Sequence, residues 1–266
     1  MNLYEYINKW ASGEAIYPHY KIDGYIDLIS KVISKHSLSE NISFIATGSK
    51  RNGTNINYME FLIIYALLEN NDKNNNTTNF KNSVFDILSE TKNFDSIIEL
   101  PDSLILEFEK EKILLKPSFK IIEKENIEAA LINIDGEDLL YYPKLDNKNF
   151  DRKASECGDY FINLVRIFKY IIQSFSSEIK FLNEISFEIS EALIWNIPNE
   201  YFHFKNYDDG IINALDYIYD SIAGENYMEL SEINDIKILF SAKNNLNRKN
   251  ILKALYELKK SVRENI

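Results

Sequence analysis

The chain has 266 residues, of which 45% are hydrophobic, and this is enough to build one large domain or two smaller ones around proper cores. It carries 30 basic and 41 acidic residues, and the resulting net charge of -11 argues against strong binding to nucleic acid, which depends on Lys and Arg contacts to phosphates. The single Cys157 excludes an internal disulfide. His19, His36 and His203 are too scattered for a zinc-type cluster, so we expect no structural metal.

The beginning of the sequence shows no targeting pattern. Its first six residues, MNLYEY, lack a basic region followed by an apolar one. No apolar run approaches the roughly 20 residues that are needed to cross a bilayer. Together with the lone cysteine, this predicts a cytoplasmic protein without a membrane anchor.

The first predicted elements are a helix, a strand and a glycine-containing turn. Apolar residues recur at helical spacing over residues 25–33, and the short apolar run at residues 42–46 is typical of a buried strand. A second apolar run, residues 59–68, begins as a strand. It ends in an asparagine-rich tract, residues 70–79, which we interpret as a mobile surface loop.

The next segments complete a mixed half of the chain. Residues 80–88 have helical spacing, and residues 104–108 and 113–115 are typical of two paired strands. Asp135 and Gly136 lie between two further apolar runs and predict a hairpin turn.

The rest of the sequence is helical from about Tyr160 onward. Its apolar stripes lie in residues 161–172, 211–219 and 251–258. We therefore predict an α+β fold with two domains. A mixed β-sheet with flanking helices occupies residues 1–150, and a helical C-terminal domain that packs against it occupies residues 151–266.

Four segments carry a family resemblance: residues 48–56 (GSKRNGTNI), 113–119 (ILLKPSF), 142–169 (beginning YPKL and ending VRIFK) and 186–198 (SFEISEALIWNIP). Their content and order resemble the nucleotidyltransferase superfamily, specifically the bacterial branch that includes the cyclic-oligonucleotide synthases of antiphage defence and their minimal relatives. The resemblance covers most of residues 22–240. It implies a nucleotidyltransferase-like sheet followed by the family's helical domain.

The resemblance also implies which residues would contact a nucleotide. In active relatives a Gly-Ser turn offers backbone N-H groups and a hydroxyl to the triphosphate. By this resemblance Gly48, Ser49, Lys153, Arg166 and Lys169 are the nucleotide-binding candidates. The alternative for Lys169 is an ordinary solvent-facing cation on an amphipathic helix, and retention and loss of nucleotide binding are both open from the sequence.

The catalytic carboxylates that the family needs are absent from their expected positions. Active relatives hold two divalent cations with three carboxylates, and the alignment places these at Phe61, Ile63 and Leu114, all of which are apolar. A shift of one residue brings in Glu60 but restores only one acid. We therefore predict no catalytic residue, no metal site and no cofactor, and hence a pseudoenzyme.

Relocated acids are the alternative to this prediction. Glu107 and Glu109 share one face of a predicted strand, and Asp135 and Glu137 flank a predicted hairpin turn. In that case the protein would be an active nucleotidyltransferase that uses Mg²⁺ and makes oligonucleotides, cyclic ones included, or NMP adducts. Otherwise these acids are solvated charges of the kind that protect sheet edges.

Three other conspicuous side chains are assigned to the fold. Lys50 and Arg51 follow the Gly-Ser turn, and we interpret them as exposed charges that keep a loop soluble. Trp195 is interpreted as a core residue and not as a platform for a stacked base.

The sequence thus favours a binding or regulatory module in a bacterial antiphage-defence or toxin-antitoxin-type system. The expected partner is a protein, either an active nucleotidyltransferase or an effector. A nucleotide or short oligonucleotide is the expected small ligand, and strong nucleic-acid binding and membrane association are not expected.

Overall fold

The structure is a computed structural model that describes residues 3–12, 22–35, 41–56, 60–69, 76–109, 111–123, 126–134, 137–241, 244 and 246–266. It divides into two compact units. The sheet unit consists of Pro18–Gly53 and Tyr58–Asn147. The helical unit consists of Met1–Tyr17, Thr54–Asn57 and Lys148–Ile266.

The first half of the chain contains both helices and strands. In chain order these are α1 (Leu3–Ser12), α2 (Ile22–Ile33), β1 (Ile42–Thr47), α3 (Ser49–Asn52), β2 (Leu62–Glu69), α4 (Thr77–Ser89), β3 (Ser96–Glu99), β4 (Leu104–Phe108), β5 (Glu111–Ile122), β6 (Glu128–Ile134) and β7 (Glu137–Tyr141). The second half contains α5 (Pro143–Cys157), α6 (Asp159–Phe175), α7 (Phe187–Trp195), α8 (Tyr207–Ala223) and α9 (Arg248–Asn265). Short 3₁₀ turns at Leu182–Glu184, Asn199–Phe202 and Glu225–Glu229 connect the later helices. The predicted α+β fold is confirmed.

The strands form one mixed sheet in the order β1-β2-β5-β4-β3, and β6 pairs with β5 and with β7. The β2-β5 pair is parallel, and the other pairs are antiparallel. The predicted pairing of the strands at residues 104–108 and 113–115 is confirmed as the β4-β5 ladder. This topology places β2 beside β5 at the centre of the sheet.

The two faces of the sheet differ in what covers them. Helices α2 and α4 contribute apolar side chains to the larger core on one face, and Ile29, Phe80 and Val84 are almost fully buried there. A smaller apolar cluster around Tyr65 and Leu67 lies on the other face. Because side chains alternate along β2, Ile63 belongs to the second face.

The predicted hairpin turn and the predicted loop at residues 70–79 both lie partly outside the described residues. The predicted hairpin pairs β6 with β7, but Asp135 and Gly136 themselves lie outside the described residues. The predicted mobile loop at residues 70–79 extends too far, because α4 already begins at Thr77; residues 70–75 lie outside the described residues. The helix begins there because the Asn76 side chain accepts a hydrogen bond from the Thr78 N-H at 2.8 Å, which is a standard N-cap.

The helical unit is built around α6, whose apolar face is buried among α7, α8 and α9. Helix α1 also packs on α6, with the Trp10 ring stacked on Tyr170 at a centroid distance of 4.8 Å. The start of the chain therefore joins the helical unit, whereas the predicted division assigned it to the N-terminal domain. The reason is that the apolar side chains of α1 pack against α6, α8 and α9, which all lie in the C-terminal half of the chain. Among the described residues, no helix has the length and apolar character of a membrane span.

Candidate functional site

The Gly48 turn lies at the end of β1 in the sheet unit. Gly48 has φ 80° and Gly53 has φ 68°, so both glycines adopt backbone conformations that side chains disfavour. A Cβ atom at Gly48 would lie 3.1 Å from Cδ1 of Ile63. The turn thus needs glycine both for its backbone conformation and for its close approach to β2. Ser49 follows as the first residue of α3 and is buried.

Lys50 is not the exposed charge that the sequence suggested. Its Nζ lies 2.6 Å from Oε2 of Glu111 at the start of β5, and the lysine side chain is fully buried. A buried lysine needs such a partner, because an unpaired charge in the interior costs several kcal/mol. The interpretation of Lys50 as a solvated loop charge was therefore wrong, and the basic residue serves to hold the turn to the sheet.

Ile63, one of the three positions expected to carry carboxylates, lies beside this turn. Ile63 of β2 and Leu114 of β5 are paired residues of the parallel ladder, and Phe61 lies two residues before Ile63. All three are half-buried. Their side chains are hydrocarbon and offer no oxygen to a cation, whereas Mg²⁺ requires hard oxygen ligands in nearly octahedral geometry. The residues at this corner of the sheet therefore do not fit the divalent cations of active nucleotidyltransferases.

The acids considered as replacements are placed elsewhere or are already paired. Glu107 accepts a hydrogen bond from Ser96 at 2.6 Å and lies 3.1 Å from Lys112, and these contacts lower the pKa of its carboxyl group. Glu137 is exposed at the start of β7, and Glu60 is buried beside Phe61. In the part of the chain that the structure describes, no three His, Cys, Asp or Glu residues are grouped as metal ligands.

Lys169 lies in a buried polar network inside the helical unit. Its Nζ donates to Oε1 of Glu191 at 2.7 Å and to the carbonyl oxygen of Thr54 at 3.2 Å. The Thr54 hydroxyl donates to the same Glu191 oxygen. The hydroxyl of the next helical residue, Tyr170, donates to the carbonyl oxygen of Ile56 at 2.9 Å. Residues 54–56, which follow the glycine turn in sequence, are thus hydrogen-bonded to α6 and α7.

The other two cationic candidates also bind groups of the helical unit. Lys153 is buried and donates to the carbonyl oxygen of Ile197 at 2.5 Å and to Oδ1 of Asn199 at 3.1 Å. Arg166 donates to Oδ1 of Asn163 at 2.9 Å, and burial lowers the pKa of its guanidinium. Gly48 and Ser49 belong to the sheet unit and the three cations to the helical unit. Their assignment to nucleotide binding stays a prediction.

Known proteins share this architecture. Residues 148–263 match the family model described as the cGAS/DncV-like nucleotidyltransferase C-terminal helical domain. The chain superposes on CdnE cyclic dinucleotide synthase from Elizabethkingia meningoseptica, solved with GTP and Apcpp, with a TM-score of 0.79. The protein has the CD-NTase fold. This superposition covers 97% of this chain and 98% of the other at 19% sequence identity.

Two further structures agree with this result. The CD-NTase-like chain superposes on the CdnE c-UMP-AMP synthase of Rhodothermus marinus with a TM-score of 0.80 and 14% identity, covering 98% of this chain and 96% of that one. The ATP-bound CdnC of E. coli MS115-1 gives a TM-score of 0.73 and 13% identity, covering 98% and 91% of the two chains. Comparison with curated protein sequences finds no match. The suspected nucleotidyltransferase-like architecture is confirmed.

Sequence reasoning about this CD-NTase-like protein missed Thr54 and Glu191. Glu191 did offer a signal, because it lies within the apolar run SEALIW of α7, where an acid is buried only if it has a partner. Its cationic partner, Lys169, had been assigned to a ligand instead. Thr54 gave no comparable signal, since its hydroxyl reaches an acid 137 residues away in sequence.

Proposed function

We propose that this CD-NTase-like protein is a catalytically degenerate nucleotidyltransferase that acts as a binding or regulatory module. The observation that supports this proposal is the apolar character of Phe61, Ile63 and Leu114 beside the Gly48 turn. Phosphoryl transfer in this superfamily depends on cations that neutralise the phosphates, and these side chains provide no ligand for them.

A module of this kind would act through a partner. The structure of E. coli CdnC in a complex with HORMA-deltaN gives a precedent for a protein partner among proteins of this fold. We propose that the present protein works in the bacterial cytoplasm, in antiphage defence or in a toxin-antitoxin-type system. Its partner there is an active nucleotidyltransferase or an effector, and a nucleotide or short oligonucleotide is its small ligand.

The first prediction concerns catalysis. Incubation with each labelled NTP, alone and in mixtures, and with Mg²⁺ or Mn²⁺, should give no oligonucleotide, cyclic product or NMP adduct. The reason is that hydrocarbon side chains occupy the positions of the metal ligands. Chromatographic separation of the labelled products is the measurement.

The alternative, an active enzyme with relocated carboxylates, is favoured by one observation: Glu60 is buried directly before Phe61. It makes the opposite prediction in the same assay. A product that forms with the wild type and is lost in Glu60→Gln, Glu107→Gln or Glu109→Gln would replace the degenerate assignment with this one. The exposed Glu90→Gln, at a position that is not among the candidate acids, is the matched control and should leave any product unchanged.

The second prediction concerns nucleotide affinity. If binding of ATP or GTP is retained, calorimetry should give the same affinity with Mg²⁺ and with a chelator, because no carboxylate set ties the ligand to a metal. The affinity should depend on Ser49 and on Lys169, and Lys169→Ala should weaken it about tenfold, the loss typical of a hydrogen bond to a charged group. Lys249→Ala, at an exposed position, is the charge-matched control.

Two results would argue against a retained nucleotide site. One is equal affinity in the wild type and in folded Lys169→Ala, and the other is no heat of binding at any accessible nucleotide concentration. Because Lys169 already contacts Glu191, a phosphate must compete with that carboxylate for the ammonium group. Glu191→Gln weakens the competitor and should therefore increase the affinity if Lys169 is a ligand.

A further inference from the structure

Helix α9 of the helical unit differs in charge from the rest of the chain. It contains six basic and two acidic residues, whereas the chain as a whole has a net charge of -11. Its apolar side chains are buried in the core of the unit, among them Ile251, Leu255, Leu258 and Val262. Because a helix that buries one side turns its other side outward, the charged residues lie on the flanks and the outward face.

Three lysines and one tyrosine form a line along this outward face. Lys249, Lys253, Tyr256 and Lys260 are spaced at i, i+4, i+7 and i+11, so they follow one another over about three turns of the helix. All four side chains are exposed. We call these four residues the α9 stripe.

The cations beside the α9 stripe are used by the fold, whereas two lysines of the stripe are not. Nζ of Lys259 lies 2.8 Å from Asp216 of α8, and the guanidinium of Arg263 lies 2.6 Å from the same carboxylate. Within the described part of the chain, neither Lys249 nor Lys253 forms an ion pair. These two charges therefore have no structural role that explains them.

The acids near the stripe lie along one side of it. At about 100° per residue, Glu257 and Glu264 project about 60° away from the centre of the line. On the same side, Asn250 donates a hydrogen bond to Glu184 at 2.7 Å. Lys260 and Glu264 are 3.8 Å apart, but both side chains are more than half exposed, so this pair is weak. The outward line thus presents lysines and a tyrosine, with an acidic row beside it.

Tyr256 places an aromatic ring between the lysines. It is 61% exposed, the highest value among the large hydrophobic side chains of the described residues, and its ring centroid lies 6.4 Å from that of Tyr219 on α8. A single exposed ring is common on protein surfaces. Tyrosine is nevertheless enriched at protein interfaces and often carries a large share of the binding energy, so a tyrosine within a line of unpaired cations indicates a contact surface.

The chemistry of the surface selects one class of partner. Nucleic acid is disfavoured, because the net charge of -11 and the acidic row both repel a long polyanion. A lipid surface is disfavoured as well, since the apolar face of α9 is buried in the core and cannot insert. A second helix fits, because carboxylates at i, i+4 and i+11 of a neighbouring helix repeat with the same spacing as the lysines.

We propose that the α9 stripe is the docking surface for an acidic helix of a protein partner. The two helices lie side by side, carboxylates of the partner pair with the three lysines, and an apolar side chain of the partner packs on Tyr256. The acidic row repels acids on that side and so fixes the orientation of the partner. The proposal rests on the proposed function only for the existence of a partner. The assay with labelled NTPs does not involve α9, so each proposal can fail without the other.

The test measures binding of the full-length protein to a fluorescein-labelled, alanine-based helical peptide by fluorescence polarisation. The peptide carries glutamates at i, i+4 and i+11 and a leucine at i+7. A second peptide of the same composition has its glutamates distributed around the helix. The first peptide should bind at least fivefold more tightly than the second, and its affinity should fall as the salt concentration rises, because exposed charge pairs are screened.

Substitutions in α9 locate the binding surface. Tyr256→Ala should weaken binding about tenfold, as expected for a central interface tyrosine, and Lys253→Ala about threefold. Glu257→Gln should strengthen binding, because it removes a repelling charge. Alanine is the best helix former, and circular dichroism checks that α9 stays folded in these variants. Lys205→Ala, at an exposed position outside α9, is the charge-matched control and should bind like the wild type.

Four results would overturn the proposal. The first is no binding of the designed peptide, and the second is equal affinity for the two peptides. The third is wild-type affinity in both Tyr256→Ala and Lys253→Ala. The fourth is tighter binding of a single-stranded DNA oligonucleotide or of phosphatidylserine vesicles than of the peptide, or self-association that Tyr256→Ala abolishes, because the stripe would then serve a different partner.

Discussion

Replacing Glu191 with leucine should lower the free energy of unfolding by about 3–5 kcal/mol, the usual cost of removing one partner from a buried ion pair. The Lys169 side chain is 0% exposed and that of Glu191 is 4% exposed, so the remaining ammonium would have no access to water. The Thr54 hydroxyl would lose its acceptor as well. Chemical denaturation monitored by circular dichroism is the measurement.

A double mutant tests whether the unpaired charge is the cause. Glu191→Leu combined with Lys169→Met removes both charges and should recover a large part of the lost stability, because an apolar pair in this position carries no desolvation penalty. Glu264→Leu is the surface control, since the Lys260-Glu264 pair is exposed and its loss should barely change the melting temperature. Equal stability of the wild type and Glu191→Leu would show that the pair is not a structural element.

Introducing acids at Phe61, Ile63 and Leu114 should destabilise the sheet unit. The triple variant Phe61→Asp, Ile63→Asp and Leu114→Asp should melt several degrees lower than the wild type in metal-free buffer, because each change removes apolar packing and half-buries a charge. Ile63 has little free space on the side of the glycine turn, since a Cβ atom on Gly48 would lie 3.1 Å from its Cδ1 atom. Calorimetric melting in the presence of a chelator is the measurement.

The matching asparagine triple variant separates the lost packing from the added charge. Repulsion and burial raise the pKa of the new carboxyls above the unfolded value of about 3.9, so the folded state binds more protons than the unfolded state. The aspartate variant should therefore be less stable than the asparagine variant at neutral pH. This difference in the free energy of unfolding should shrink as the pH falls towards about 3.9 and grow as the pH rises. Unchanged stability together with tight Mg²⁺ binding would mean that the corner still accepts a metal, against the degenerate assignment.

Local patterns in the sequence predict the elements of this fold well. Residues 42–46 and 161–172 lie within β1 and α6, because a buried strand and an amphipathic helix each leave a periodic apolar trace. The placement of α1 was not predictable in this way. A periodic stripe shows that a helix buries one face but carries no information about which distant helix covers it.

The polar interior was predicted less well than the apolar one. The sequence assigns Lys50 to solvent, whereas it is buried against Glu111, 61 residues away in sequence. The ion pair between Lys169 and Glu191, 22 residues apart, was not predicted either, although the assignment of Lys169 to a nucleotide stays a prediction. Charged side chains have no periodicity that distinguishes a buried pair from a solvated charge. A motif and a strand register are local, and the structure pairs Ile63 directly with Leu114, two of the positions at which the resemblance predicts carboxylates.

The short segment Thr54–Asn57 has a consequence for the synthesis of the protein. It belongs to the helical unit although the chain on both sides of it belongs to the sheet unit. A ribosome that has completed the sheet unit at Asn147 has not yet produced Tyr170 or Glu191, which hold this segment. The glycine turn that precedes it therefore cannot acquire its final anchor during translation of the first half. A fragment that ends at residue 147 should accordingly be susceptible to proteases just after Gly53, while the complete chain is protected there.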